Sequence, residues 1–188
     1  MDNKENILKK ATEIFAKLGY EGAGIQQIVD AAGITKPTMY HYFGSKKGLF
    51  EEIVFSNNAE LLKRLEDACR YEKDVVKNIN QVIGVYFKFA SAYKDYYRMM
   101  LSSWFYPADS EIYGIVKNAN TAQYELVMEM FLRAVPEHGN MRGRHEAYAF
   151  SLIGTINSYI GVYFGGSIQL NEQEIHRLSK QFMHGIFS

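Results

Sequence analysis

The stretch Gly24–Lys47, GIQQIVDAAGITKPTMYHYFGSKK, constrains this chain more than any other. Two short helical patterns meet there around one glycine. Gly24 is an acceptable N-cap, although Ser, Thr, Asn or Asp would serve better. Ile25, Ile28, Val29 and Ala32 fall on one helix face, and Gln26, Gln27 and Asp30 fall on the other. Gly33 supplies a sharp turn. Thr35 can cap the next helix through its hydroxyl, and Pro37 sits in the first turn, where a missing N–H costs nothing. Two short amphipathic helices around a glycine turn make a helix-turn-helix, a motif that places its second helix in the major groove of DNA. An ordinary three-helix core with solvated Lys and Tyr would share the generic pattern.

Laying the second helix out at about 100° per residue separates its faces. Met39 and Phe43 share the inward one. Pro37, Thr38 and His41 point the opposite way, with Tyr40 and Tyr42 flanking them. Lys36 and Lys46 bracket the helix and can reach phosphates, which fix register, while Pro37, Thr38 and His41 lie nearest the base edges. No Arg points outward, so bidentate guanine reading is limited to Lys36. Formal net charge is zero over 188 residues, and bulk electrostatics therefore does not make the chain a nucleic-acid binder. The local balance differs: from Ala31 to Gly48 there are three Lys and no acid.

At GITKPTMYHYFGSKKGLF the sequence resembles the tetracycline-repressor (TetR) family of transcriptional regulators. The matching places are Ala32, Gly33, Ile34, Thr35, Tyr40, Tyr42, Phe43, Lys46 and Leu49. Together with the Ile7–Gly19 helix, Gly19-Tyr20 and Ile28, the match covers about the first fifty residues. The resemblance implies that Lys36, Pro37, Thr38, Tyr40, His41 and Tyr42 lie at the DNA behind the Thr35 cap. Lys46 would then sit on a phosphate, and Gln26 would be a further contact. Gly24 stands where the family usually has Ser or Thr, so a hydroxyl-to-phosphate contact is missing there.

The remainder reads as helical throughout, with no strand alternation that holds. Asp2-x-x-Glu5 resembles a capping box opening the first helix, and Gly19 is its C-terminal stop. A long connector runs from beyond Lys46 to about Arg70, followed by helices over about Lys73–Tyr93, through Tyr97 to Trp104, and over Ser110–Ala134. Pro136 to Gly143 reads as a loop. The expected architecture is all-α with about nine helices. Residues 1–47 form the three-helix helix-turn-helix domain and residues 48–188 form a helical bundle for ligand binding and dimerisation.

Aromatics crowd this second part, and most belong to packing. The excess of Tyr over Phe matters because a buried hydroxyl needs a partner, which a ligand can supply. Tyr86, Phe89, Tyr93, Trp104 and Tyr124 are the candidates for lining a pocket for an aromatic or amphipathic small molecule, an effector that the family resemblance also implies. From Ala147 to Asn171 no residue carries a formal charge. That length could span a bilayer, but Ser151, Thr155, Asn157, Ser158 and Gly165-Gly166 argue for a buried interface helix instead. Ser151, Gly154, Ser158, Gly161 and Gly165 recur at heptad spacing and would let another helix approach closely. That helix could belong to the same subunit. In similar regulators the last two helices build a dimeric four-helix bundle, which implies a homodimer and adds Leu178 and Phe182, with Ile186, to the interface.

No HExxH, nucleophile elbow or phosphate loop is present, so no catalytic residue, cofactor or metal is expected. The lone Cys69 cannot form an internal disulfide and fits a reducing cytoplasm. The polar start MDNKEN does not look like a secretory signal. The reading that follows is a ligand-responsive transcriptional regulator, a repressor released from a palindromic double-stranded operator by a small molecule. The alternative is a ligand-independent architectural or regulatory DNA-binding dimer.

Overall fold

The computed structural model describes residues 3–185. These form nine α-helices and one short 3-10 turn, with no strand among them. Asp2 of the expected capping pair and Ile186 of the expected interface lie outside the described residues.

By contacts the chain divides into two compact units, and neither is continuous in sequence. One comprises Met1–Ala59 with Tyr93–Ala119, and the other Glu60–Ala92 with Asn120–Ser188. Compactness thus follows a different line from the expected 47/48 boundary.

The first unit holds α1 (Asn3–Gly22), α2 (Ile25–Ala32), α3 (Lys36–Phe43), the start of α4 (Lys46–Ala68), α6 (Lys94–Ser103) and the opening of α7 (Tyr113–Ala134). Ile7, Ala11 and Phe15 recur along α1 at helical spacing and are fully buried, together with Ile28, Met39, Leu49 and Phe50. α1 packs on α2 and, more extensively, on α6. Gly19 interrupts α1 with φ 71° and ψ 170°, a conformation that a residue with a side chain adopts only under strain. Gly33 ends α2 in the left-handed region, where its N–H donates to the Asp30 carbonyl at 3.2 Å while that of Ile34 donates to Val29 at 3.0 Å. Ser45 then starts α4, its hydroxyl accepting from Gly48 N at 2.9 Å.

The second unit is built around α5 (Val75–Ala92), which packs on α8 (His145–Phe164) and α9 (Glu172–His184). Val82, Ile83, Tyr86, Phe87 and Phe89 of α5 are buried. Buried Asn78 donates to the carbonyls of Ala68 at 2.7 Å and Arg70 at 3.0 Å, satisfying acceptors that the end of α4 leaves without helical partners. Asn171 caps α9 as expected, its Oδ1 accepting from Glu174 N at 3.1 Å.

Several boundaries move. α7 begins at Tyr113 rather than Ser110, because Pro107 and Ser110 close successive turns through Ser110 N to Pro107 O (2.9 Å) and Tyr113 N to Ser110 O (3.1 Å). The uncharged segment breaks at the Gly165-Gly166 pair, as expected. α8 ends at Phe164, and Gly166 turns the chain with φ 81°. Among the described residues no helix is long and apolar enough to cross a membrane.

Candidate functional site

The outward face of α3 is where the 100° spacing places it. Lys36, Pro37, Tyr40, His41 and Tyr42 are exposed, Thr38 is half-buried, and Met39 is fully buried as the anchor. Thr35 has the extended backbone of an N-cap, and its Oγ1 lies 2.9 Å from Thr38 Oγ1 and 3.4 Å from Thr38 N. The two hydroxyls therefore orient one another at the start of the helix. His41 and Tyr42 meet edge to face at 5.7 Å. Phe43, expected in the core, is only half-buried. It is the last residue of α3, after which Gly44 turns the chain at φ 71°.

On α2, Gln26 is exposed and its Nε2 donates to Asp30 Oδ1 at 2.7 Å, so the side chain is held along its own helix. Gly24 occupies the N-cap at φ −86° and ψ 142°, and its N–H donates to Gln27 Oε1 at 2.9 Å. A Cβ at this position would approach only Gln27, at 3.4 Å. Both the backbone and the space accept a serine here.

Lys46 is placed differently from a free phosphate ligand. Its Nζ donates to the carbonyls of Tyr20 at 2.8 Å and Ala23 at 3.2 Å, and it stands 4.2 Å from the centroid of the Tyr20 ring. Two of its three N–H donors are thereby engaged. Sequence reasoning missed Tyr20 as their partner; the signal available was a tyrosine directly after the Gly19 helix break.

The five aromatic candidates for an effector pocket are divided between the units: Tyr86, Phe89 and Tyr124 in the second, Tyr93 and Trp104 in the first. Tyr86 is fully buried, with its hydroxyl donating to Gln123 Oε1 at 2.9 Å. Phe89 is also fully buried, under the Arg64 guanidinium at 5.7 Å. Tyr124 is half-buried and packs edge to face on Phe150 at 4.9 Å, and burial pushes its hydroxyl up to about 12. A groove of about 640 Å³ does open in the second unit, lined by Arg64, Asp67, Gly84, Lys88, Ile175 and His176 among others. None of the five aromatics lines it.

Of the interface candidates, Ser151, Gly154, Ser158, Gly161 and Gly165 are all exposed in the single chain. A Cβ on Gly154 or Gly161 would meet nothing within 4 Å. Phe182 is half-buried beside Phe131 and Tyr148. Leu178 is different. It is 0% exposed and belongs to its own chain's core, so the expectation that it faces a second subunit is corrected. Among the described residues no group of three or more His, Cys, Asp or Glu is arranged to hold a metal ion.

Residues 7–53 match the family model described as bacterial regulatory proteins, tetR family. The transcriptional activator FasR of Mycolicibacterium smegmatis is 26% identical over 132 residues, covering 70% of this chain and 60% of its own length. The fold of the whole chain is shared with solved regulators. FadR of Bacillus halodurans, a fatty acid degradation regulator, superposes with a TM-score of 0.82 at 16% identity, covering 100% of this chain and 97% of that one. FadR of Bacillus subtilis, solved in complex with stearoyl-CoA, superposes with a TM-score of 0.81 at 15% identity, covering 97% and 98%. The structural likeness speaks to the fold, and the sequence match concerns residues 7–53. Over residues 7–53 this chain is similar to the tetR family of bacterial regulatory proteins.

Proposed function

We propose that the chain is a cytoplasmic, DNA-binding transcriptional regulator that reads a two-fold operator as a homodimer and releases it when a small amphipathic molecule binds. The observation that carries this reading is the face of α3. Lys36, Pro37, Tyr40, His41 and Tyr42 stand outward on a helix anchored by buried Met39, with Thr35 and Thr38 hydroxyls paired at its start. Lys36 supplies an exposed cation, His41 and Thr38 supply hydrogen bonds for base edges, and the tyrosines supply ring edges and hydroxyls for sugar and phosphate. Modest reading per subunit makes two copies at a set spacing necessary, and the exposed small-residue face of α8 is the surface proposed to hold them.

The effector can act only by binding one dimer geometry better than the other. Stearoyl-CoA, held by the Bacillus subtilis neighbour, is the first compound to try. The test is a gel-shift titration on duplexes selected from a random pool by the chain itself. A two-fold consensus with salt-dependent affinity supports the reading, and binding that ignores sequence overturns it. Loss of the shifted band on adding stearoyl-CoA supports the ligand response. The complete burial of Tyr86 and Phe89, with the Tyr86 hydroxyl already paired to Gln123, favours a second reading in which the second unit is scaffold only. Under that reading the band is indifferent to acyl-CoA and to aromatic amphiphiles alike.

A further inference from the structure

Tyr20 is fixed at every polar group it has. The break at Gly19 frees its N–H from the helix ladder, and that N–H donates to Tyr106 Oη at 2.9 Å. Its carbonyl accepts from Lys46 Nζ at 2.8 Å, and its hydroxyl donates to Glu111 Oε1 at 2.5 Å. Its ring stacks on Phe15 at 5.7 Å, meets Phe50 edge-on at 5.2 Å, and lies under Lys46. Phenylalanine would pack equally well, so the hydroxyl answers to Glu111. Burial, followed by the Glu111 hydrogen bond, raises the ionisation of the Tyr20 hydroxyl above its ordinary value and keeps it a donor. The approach of Tyr106 is close enough that a Cβ on Gly19 would come within 3.2 Å of its hydroxyl oxygen.

Tyr106 and Glu111 lie 86 and 91 residues along the chain from Tyr20, in the segment that joins α6 to α7. Lys46 extends the same node to Ala23, directly before the Gly24 cap of α2. Residues 20–24 set the direction in which α2 leaves α1, and with it the placing of α3.

We propose that Tyr106 and Glu111 are positioning residues for the DNA-reading helices, acting through Tyr20 and Lys46 on the junction between α1 and α2. The segment between α6 and α7 thereby becomes the place where a change elsewhere in the protein would loosen or tighten the reading head. The proposal rests on the DNA-binding reading above, and its test separates the two. Tyr106→Phe, Glu111→Ala and Glu111→Gln are made in the full chain, with Ile79→Ala in the core of the second unit as a control for general destabilisation. Amide exchange is followed over residues 19–24, and affinity is measured by anisotropy on a duplex selected by the wild type.

Tyr106→Phe and Glu111→Ala are expected to speed exchange in that segment and to weaken duplex binding by about tenfold each, the weight of one lost hydrogen bond. Glu111→Gln, which keeps an acceptor oxygen, stays near wild type, and Ile79→Ala binds as wild type at equal fraction folded. Unchanged exchange in the folded variants overturns the node. Faster exchange with affinity no worse than the Ile79→Ala control overturns the positioning role. A wild type that selects no duplex defeats the DNA reading and leaves the exchange result to stand by itself.

Discussion

Two residues at the start of α4 show how little freedom the junction of α3 and α4 has. A Cβ on Gly48 would collide with the main-chain oxygen of Phe43, the last residue of α3, so the helix can begin only because that side chain is absent. Gly48→Ala must push α3 and α4 apart and should lower stability by about 1–3 kcal/mol, read as a shifted urea midpoint; an unchanged midpoint would show that the junction gives way freely. Lys46→Met keeps the apolar stem over the Tyr20 ring but leaves the carbonyls of Tyr20 and Ala23 without their donor. A cost of about 1–2 kcal/mol is expected without any DNA present. If Lys46 served phosphate alone, the substitution would leave unfolding untouched and reduce only duplex affinity. The outward identity of Lys36, Pro37 and His41 could be read from their spacing, because a helix fixes the angle between its own residues. The partners of Lys46 could not, since they depend on how α4 packs against the end of α1.

α8 and α9 give the same lesson at the scale of elements. The heptad of small residues on α8 marks a face that invites close approach, and in the single chain that face is open. Gly161→Leu therefore has two opposed consequences. Removing a glycine from the last turn of α8 should stabilise the monomer by up to about 1 kcal/mol, while the added side chain blocks a second helix. Sedimentation should show the protein shifting towards monomer as its unfolding midpoint holds or rises; a dimer indifferent to Gly161→Leu would place the interface elsewhere. Leu178→Ala on α9 should behave in the contrary way, costing about 2–5 kcal/mol at any protein concentration because its site is fully buried in its own chain. Periodicity marked both Leu178 and Phe182 as apolar. It could not tell which of them the chain covers itself, because α5 lies between about 80 and 110 residues away in sequence and reaches α9 only in the fold.

Across the whole molecule the helices and their order were readable, and the division into units was not. No composition shift warns that Tyr93–Ala119 belongs with the N-terminal residues, because what joins them, the packing of α6 on α1 and the bonds of Tyr106 and Glu111 to Tyr20, forms only in the fold. One property gathers groups from both units. Burial pushes the Cys69 thiol from its ordinary 9.0 up to about 12 and the Tyr124 hydroxyl from 10.0 up to about 12, and it raises Tyr20 and Tyr96 in the same direction. Each of these groups is neutral when protonated, so the folded protein keeps protons that the unfolded chain gives up first. Their contribution is complete below pH 9, where both states hold the proton. It is lost as pH climbs from 9 towards 12, where unfolding releases protons and is drawn forward. At pH 11 Cys69 alone should account for a loss of about 2–3 kcal/mol. Urea midpoints should hold level from pH 7 to 8.5 and then fall, and Cys69→Ala should make the fall shallower even though it lowers the midpoint at neutral pH. A wild-type curve that stays flat to pH 11, or a Cys69→Ala curve parallel to it, would mean that the thiol is reached by water and that the C-terminal end of α4 is looser than its packing implies. Slow reaction of Cys69 with a disulfide reagent at pH 8, accelerating only in urea, is the matching kinetic expectation, because a thiol held neutral and buried offers no thiolate to react.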